Sequence, residues 1–193
     1  MQQKEKTSRL GLAGRIAIVA LLLTPGVVLA QAHGDRHADQ LTATIVNMEG
    51  GGTAPVVIHI DHYSSEAEVQ RLKGILADKG PSALRDALWD LEAGYIRVGG
   101  GLGYPIAVAT SRPDGKGGRV VRLMMDRPIS YREAVTDALS RDYPFSYVEI
   151  PVNGNGKGEG KFIAAARVSI TAGTVDIESY GIQPLRLLNV RTR

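Results

Sequence analysis

Cysteine is absent from the 193 residues. That excludes disulfides, thiolate metal sites, thiol nucleophiles and a lipid anchor carried on cysteine. Aromatic side chains are scarce: one Trp (Trp89) and two Phe (Phe145, Phe162) stand beside seven Tyr. Stacking surfaces for sugars or bases lean on aromatic faces, so both are disfavoured. Excess charge is missing too. The formal +3 comes from the first 30 residues, which hold four of the 23 basic and one of the 20 acidic side chains, leaving 19 of each in the remainder. Nucleic-acid binding rests on a basic footprint that neutralises phosphates, and no such excess or run of like charge exists here, so no nucleic-acid partner is expected. The longest apolar run, Ile16 to Leu23, breaks at Thr24-Pro25-Gly26. It falls short of the ~20 residues that span a bilayer, so no stable membrane anchor is expected.

What is present begins with an address. Lys4, Lys6, Arg9 and Arg15 precede the apolar run, and Ala30-Gln31-Ala32 offers the small-x-small pattern of a signal-peptidase site. Residues 1–32 read as a cleaved signal peptide, with cleavage after Ala30 or Ala32, and the mature protein as exported, periplasmic or extracellular. Residues 33–40 lack apolar periodicity and read as a flexible lead-in. Residues 41–193 read as one β-rich domain, long enough to bury a core without staples.

Alternation predicts strands over 41–48 and 55–63, with Val56, Ile58 and Ile60 on one face and Val57, His59, Asp61 and Tyr63 on the other. Ser65 with Glu68 forms a capping box that opens a helix with the stripe Val69, Leu72, Ile75 and Leu76, ended by Gly80-Pro81. Ser82 then caps a second helix, lined by Leu84, Ala87, Leu88 and Leu91, and the two predict a helical hairpin laid on the sheet. Further strands are predicted over 95–98, 104–112, 119–127, 145–152, 161–170, 174–180 and 185–191, with one short extra helix at 131–139. About nine hairpin-linked strands and block-inserted helices predict an α+β domain whose antiparallel sheet curls strongly or closes into a barrel.

Candidate sites are few. The mature N-terminus with His33, and His37 close by, offers nitrogen ligands for Cu(II) or Ni(II). His59 and His62 point to opposite sides of a strand and cannot easily share a metal, whereas His59 and Asp61 share a face and suit a hydrogen-bonded pair. Arg127, Tyr131 and Tyr143 bracket the third helix and could hold an anionic or planar ligand. Gly99 to Gly103, Gly115 to Gly118 and Asn153 to Gly156 lack the spacing of nucleotide or calcium loops and read as turns. Catalytic signatures such as Gly-x-Ser-x-Gly, His-Glu-x-x-His and Ser-x-x-Lys are missing, and no cofactor is expected.

The segments Gly101 to Ala107, Asp126 to Ile129, Asp142 to Phe145, Gly156 to Gly160 and Tyr180-Gly-x-x-Pro-x-x-Leu-x-Asn-Val190 resemble an uncharacterised family of secreted bacterial proteins over residues 41–191. The resemblance implies a signal peptide and one β-rich domain; it implies no activity and supplies no catalytic residue. The expectation that follows is an exported, non-enzymatic protein that binds a small molecule or a cell-envelope partner. The alternatives are a hydrolase or isomerase centred on His59 and Asp61, and copper or nickel binding through the mature N-terminus.

Overall fold

Among the described residues, ten strands wind into one nearly closed antiparallel sheet, with the kinked helix Glu66–Leu88 on its outside. This computed structural model describes residues 39–47, 52–129, 142–171, 173–180 and 183–193, all within the unit Ala32–Arg193. In chain order the elements are β1 (Asp39–Asn47), β2 (Gly52–Ile60), α1 (Glu66–Leu88), β3 (Gly94–Val98), β4 (Tyr104–Ile106), β5 (Val108–Pro113), β6 (Arg119–Met125), β7 (Phe145–Val152), β8 (Lys157–Thr171), β9 (Thr174–Ser179) and β10 (Leu185–Thr192). The expected α+β fold with a curled or closed sheet forms. The first strand starts two residues inside the stretch expected to be a lead-in. The expected helix at 131–139 lies outside the described residues.

The strand order is β4-β3-β2-β1-β10-β8-β7-β6-β5, with β9 paired to β8 alone. The two ends of that order, β4 and β5, are separated only by Ala107. The strand expected over 104–112 therefore divides into two. Its first part pairs with β3 and its second with β6, while the Ala107 N–H donates to the Met124 carbonyl at 3.0 Å. One bent strand thus joins both edges, which removes most of the exposed edge an open sheet would carry.

Period-two alternation fills the interior. Leu41, Ile45, Val56, Ile58, Ile60, Ile96, Leu123, Val148, Ile150, Phe162 and Leu187 are all buried in one contiguous cluster. Tight curvature shows at β8, where a side chain on Gly158 would run into the Pro151 carbonyl of β7. Glycine lets the two backbones close up there. A bulge in β10 opposite β1 and β8 places Asn189 at φ 54°. Asparagine tolerates this left-handed conformation better than most residues, which gives the Leu-x-Asn-Val pattern a structural reason.

The two expected helices run as one element, α1, which leaves helical geometry at Gly80, where the first was expected to end. Both apolar stripes except Leu91 belong to α1, interrupted at Gly80 (φ 81°, ψ −176°) ahead of Pro81. Glycine accepts that positive φ, and proline supplies no N–H to the helical ladder. The chain therefore kinks, and both stripes serve one apolar cluster on the outside of the sheet. Ser65 caps the helix as its spacing predicts, its Oγ accepting from the Glu68 N–H at 3.2 Å.

Candidate functional site

The outer face of β5 to β8 is where sheet, helix and hairpin leave space between them. Phe145 and Tyr147 of β7 point outward, opposite to Val148 and Ile150, so the strand is buried on both faces. Leu72, Leu76, Leu84 and Leu88 of α1 pack with Val108, Phe145, Tyr147, Ile163, Ala166 and Val168. β8 has 15 residues and outruns its neighbours. Beyond the Phe145↔Ala166 pair its last third pairs only with β9, from Arg167↔Glu178 to Thr171↔Thr174. This projecting hairpin turns Val168, Val175 and Ile177 toward the helix without meeting it fully. A groove of about 280 Å³ remains, lined by Leu72, Leu76 and Leu84 on the helix, Val108, Met124 and Tyr147 on the floor, and those three hairpin residues.

Val69, Thr110 and Leu123 also line it, and three cations, Lys73, Arg112 and Arg122, complete a lining that contains no carboxylate. Their counter-ions stand outside it. Arg112 meets Glu66 at 2.8 Å, and Arg122 Nε meets Glu149 at 2.9 Å. Lys161 meets the other Glu149 oxygen at 3.2 Å, and the Tyr147 hydroxyl donates to Glu149 at 3.1 Å. Burial pushes the Glu149 carboxyl up, but hydrogen bonds from Arg122, Lys161 and Tyr147 outweigh it and leave the group below the usual glutamate range. Burial, reinforced by the Glu149 charge and hydrogen bond, holds the Tyr147 phenol well above its ordinary value. Tyr147 therefore enters the groove as a neutral group.

The sequence-derived candidates are placed as follows. His59 and Asp61 do meet, Nε2 to Oδ1, at 3.1 Å. They stand on the outward side of the sheet, where the imidazole stacks on Tyr95 with centroids 5.3 Å apart. Arg127 bonds its neighbour Asp126 through two nitrogens at 3.0 and 3.2 Å and lies 5.3 Å over Trp89. A cleft of about 560 Å³ surrounds it, lined by Arg85, Asp86, Trp89, Asp126, Arg127, Pro128 and Pro144. Two arginines there face two aspartates, so the cleft offers no excess charge. Tyr143, 8% exposed, takes different partners: the Tyr180 ring edge at 4.8 Å and the Arg167 guanidinium at 4.7 Å. Tyr131, His33 and His37 lie outside the described residues, and among the described residues no group of metal-ligating side chains converges.

The turns behave as the sequence suggests. Asn153 Oδ1 accepts from the Asn155 and Lys157 N–H groups, and Asp114 Oδ1 from those of Lys116 and Gly118. Both are side-chain-braced turns rather than ligand loops. The carboxylates Glu149 and Glu159 do not form a catalytic pair, since each is held by its own cation, Glu159 by Arg186 at 2.8 Å.

Sequence reasoning found the helical side of the groove as an apolar stripe and missed the rest. Two signals were available: apolar residues on both faces of Phe145 to Val148, and a β8 run too long for a barrel strand. A second cluster at one barrel end also escaped it. The Tyr63 hydroxyl donates to Asp39 at 2.6 Å, and Arg119 meets the same carboxylate at 2.7 Å. Burial first, and Asp39 second, raise the Tyr63 phenol well above its ordinary value. Comparison of the chain with protein-family models, with curated proteins and with solved structures gives no match.

Proposed function

We propose that this is an exported, non-enzymatic binding protein that holds a small, mainly apolar molecule with an acidic end in the groove between α1 and the β8–β9 hairpin. The observation that carries this reading is the lining: eleven apolar or aromatic residues, one threonine and three cations, with no carboxylate, around about 280 Å³. Ligand pockets have this composition, and the volume lies just below their range of roughly 300–1,000 Å³. The interior of the barrel supports the choice of an outside site, because its own side chains fill it. Export rests on the basic leader, the apolar run and the Ala-Gln-Ala site.

The test combines a native mass spectrum of the protein from its export compartment with a calorimetric titration against decanoate. Retained extra mass, or decanoate binding abolished by Val175→Trp, supports the reading. Val175 is half-buried on the hairpin, so the larger ring fills the groove without entering the barrel. A bare polypeptide mass together with no decanoate binding overturns it.

A second reading is enzymatic and rests on the 3.1 Å contact of His59 with Asp61. A carboxylate that orients an imidazole is a component of base catalysis. This reading requires a third group and a substrate on the outward face of β2. A His59→Ala variant that keeps every screened activity eliminates it.

A further inference from the structure

The side of the barrel without a helix carries charge in an unusual order. Across β3, β2, β1, β10 and β8 the residues directly opposite one another are Arg97, Val57, Thr42, Arg191 and Lys157. All five stand on the outward face, since their neighbours Ile96, Val56, Ile58, Leu41, Ala43 and Val190 are buried inside. Adjacent strands lie about 4.8 Å apart, so this row covers an arc of roughly 19 Å. Its three cations are exposed and no carboxylate lies in the row. Two acids on neighbouring positions are already taken, Asp61 by His59 and Glu159 by Arg186. Arg191 and Lys157 moreover face each other directly, an arrangement that destabilises a sheet. In a mature chain of balanced charge, a bare cationic row that opposes folding calls for a partner outside the molecule.

A second feature adjoins it. Leu102, in the glycine-rich connection between β3 and β4, is 90% exposed. A lone exposed leucine is ordinary by itself. This one stands beside the cationic row: a side chain at the neighbouring Gly103 would meet the Tyr95 ring, over which the Arg97 guanidinium sits at 5.5 Å.

We propose that this face docks the protein on an anionic lipid surface, with Leu102 entering the interfacial region and Arg97, Arg191 and Lys157 meeting lipid phosphates. The pairing of an apolar tip with cations favours a bilayer over a soluble polyanion, because a polyanion gives Leu102 nothing to enter. This docking does not depend on the groove.

Sedimentation of the mature protein with phosphatidylglycerol–phosphatidylcholine vesicles, against phosphatidylcholine vesicles and soluble polyphosphate, tests it. Binding is expected only to the anionic vesicles and falls as salt rises. The double variant Arg191→Gln/Lys157→Gln weakens it about thirtyfold, each cation near an anionic leaflet being worth about a factor of five. Its Tm stays the same or rises, because two opposed like charges are gone. Leu102→Ser weakens binding roughly tenfold with an unchanged salt dependence. Absence of vesicle binding at low salt overturns the proposal. So does vesicle binding indifferent to both variants. Equal binding to polyphosphate with Leu102→Ser neutral also overturns it, in favour of a soluble polyanion.

Discussion

On β5 to β8 the outward residues Val108, Met124, Phe145, Tyr147 and Ile163 are apolar, whereas on β3, β2, β1 and β10 the outward positions hold Tyr95, Arg97, His59, Gln40, Thr42 and Arg191. Both halves share the same inward alternation, and both close around the same interior cluster. The difference lies in what covers them. The apolar half lies under α1 and the β8–β9 hairpin and forms a second cluster. The polar half is covered by no helix among the described residues. One barrel thus supports two kinds of surface: a groove where cover is incomplete, and a charged face where it is absent.

The contrast is sharpest in stability. Phe145, 0% exposed beneath the helix, is expected to cost about 3–5 kcal/mol as Phe145→Ala. Gln40→Ala, at an outward position of the bare half, stays within about 0.5 kcal/mol. Urea unfolding of the two variants measures both, and equal costs would break the distinction between the halves.

A smaller effect is expected from Ser146, which is fully buried at the end of the apolar half. Its Oγ accepts from the Ile129 N–H at 2.8 Å and lies 2.8 Å from the Arg127 and Ala164 carbonyls. The Ile129 N–H has a second acceptor, the Ala164 carbonyl at 3.0 Å, so Ser146→Ala does not orphan it. The expected loss is therefore about 1 kcal/mol, the low end of the range for a buried hydrogen bond, and thermal unfolding reads it.

Acid acts on the covered half. Glu149, between groove rim and barrel, has a lowered folded-state pKa, set against its burial by three hydrogen-bond partners. Its contribution is fully present above the ordinary glutamate value of about 4.3 and is lost as pH falls through the lowered folded value. Glu149→Gln is expected to flatten stability against pH over that acid limb. Base produces the opposite slope. The raised phenols of Tyr63 and Tyr147 keep their protons in the folded chain, so stability declines as pH rises above about 10. Tyr147→Phe should remove part of that decline.

Much of this architecture was legible residue by residue. Local rules sufficed where a feature depends on near neighbours: alternation for the strands, Ser65 with Glu68 for the helix start, and Asn153 and Asp114 for their turns. The His59–Asp61 contact followed from period two alone. The groove was not legible in the same way. Its helical wall is a stripe any amphipathic helix shows, and its floor and hairpin wall come from β5, β6, β7, β8 and β9, which only the fold assembles. Arg97, Arg191 and Lys157 are likewise scattered in the chain, and strand register alone brings them into one row.

The sequence by itself determined the elements and their buried faces, because side-chain polarity and backbone preference act within a few residues. It also set the missing chemistry: no thiols, and no excess charge beyond residue 30. Tertiary structure alone decided that Ala107 splits one strand between both ends of the sheet, that the two helical stripes run on through Gly80 as one kinked element, and that the interior is filled. Those outcomes depend on curvature and closure, which add small twists over ten strands and belong to no single segment.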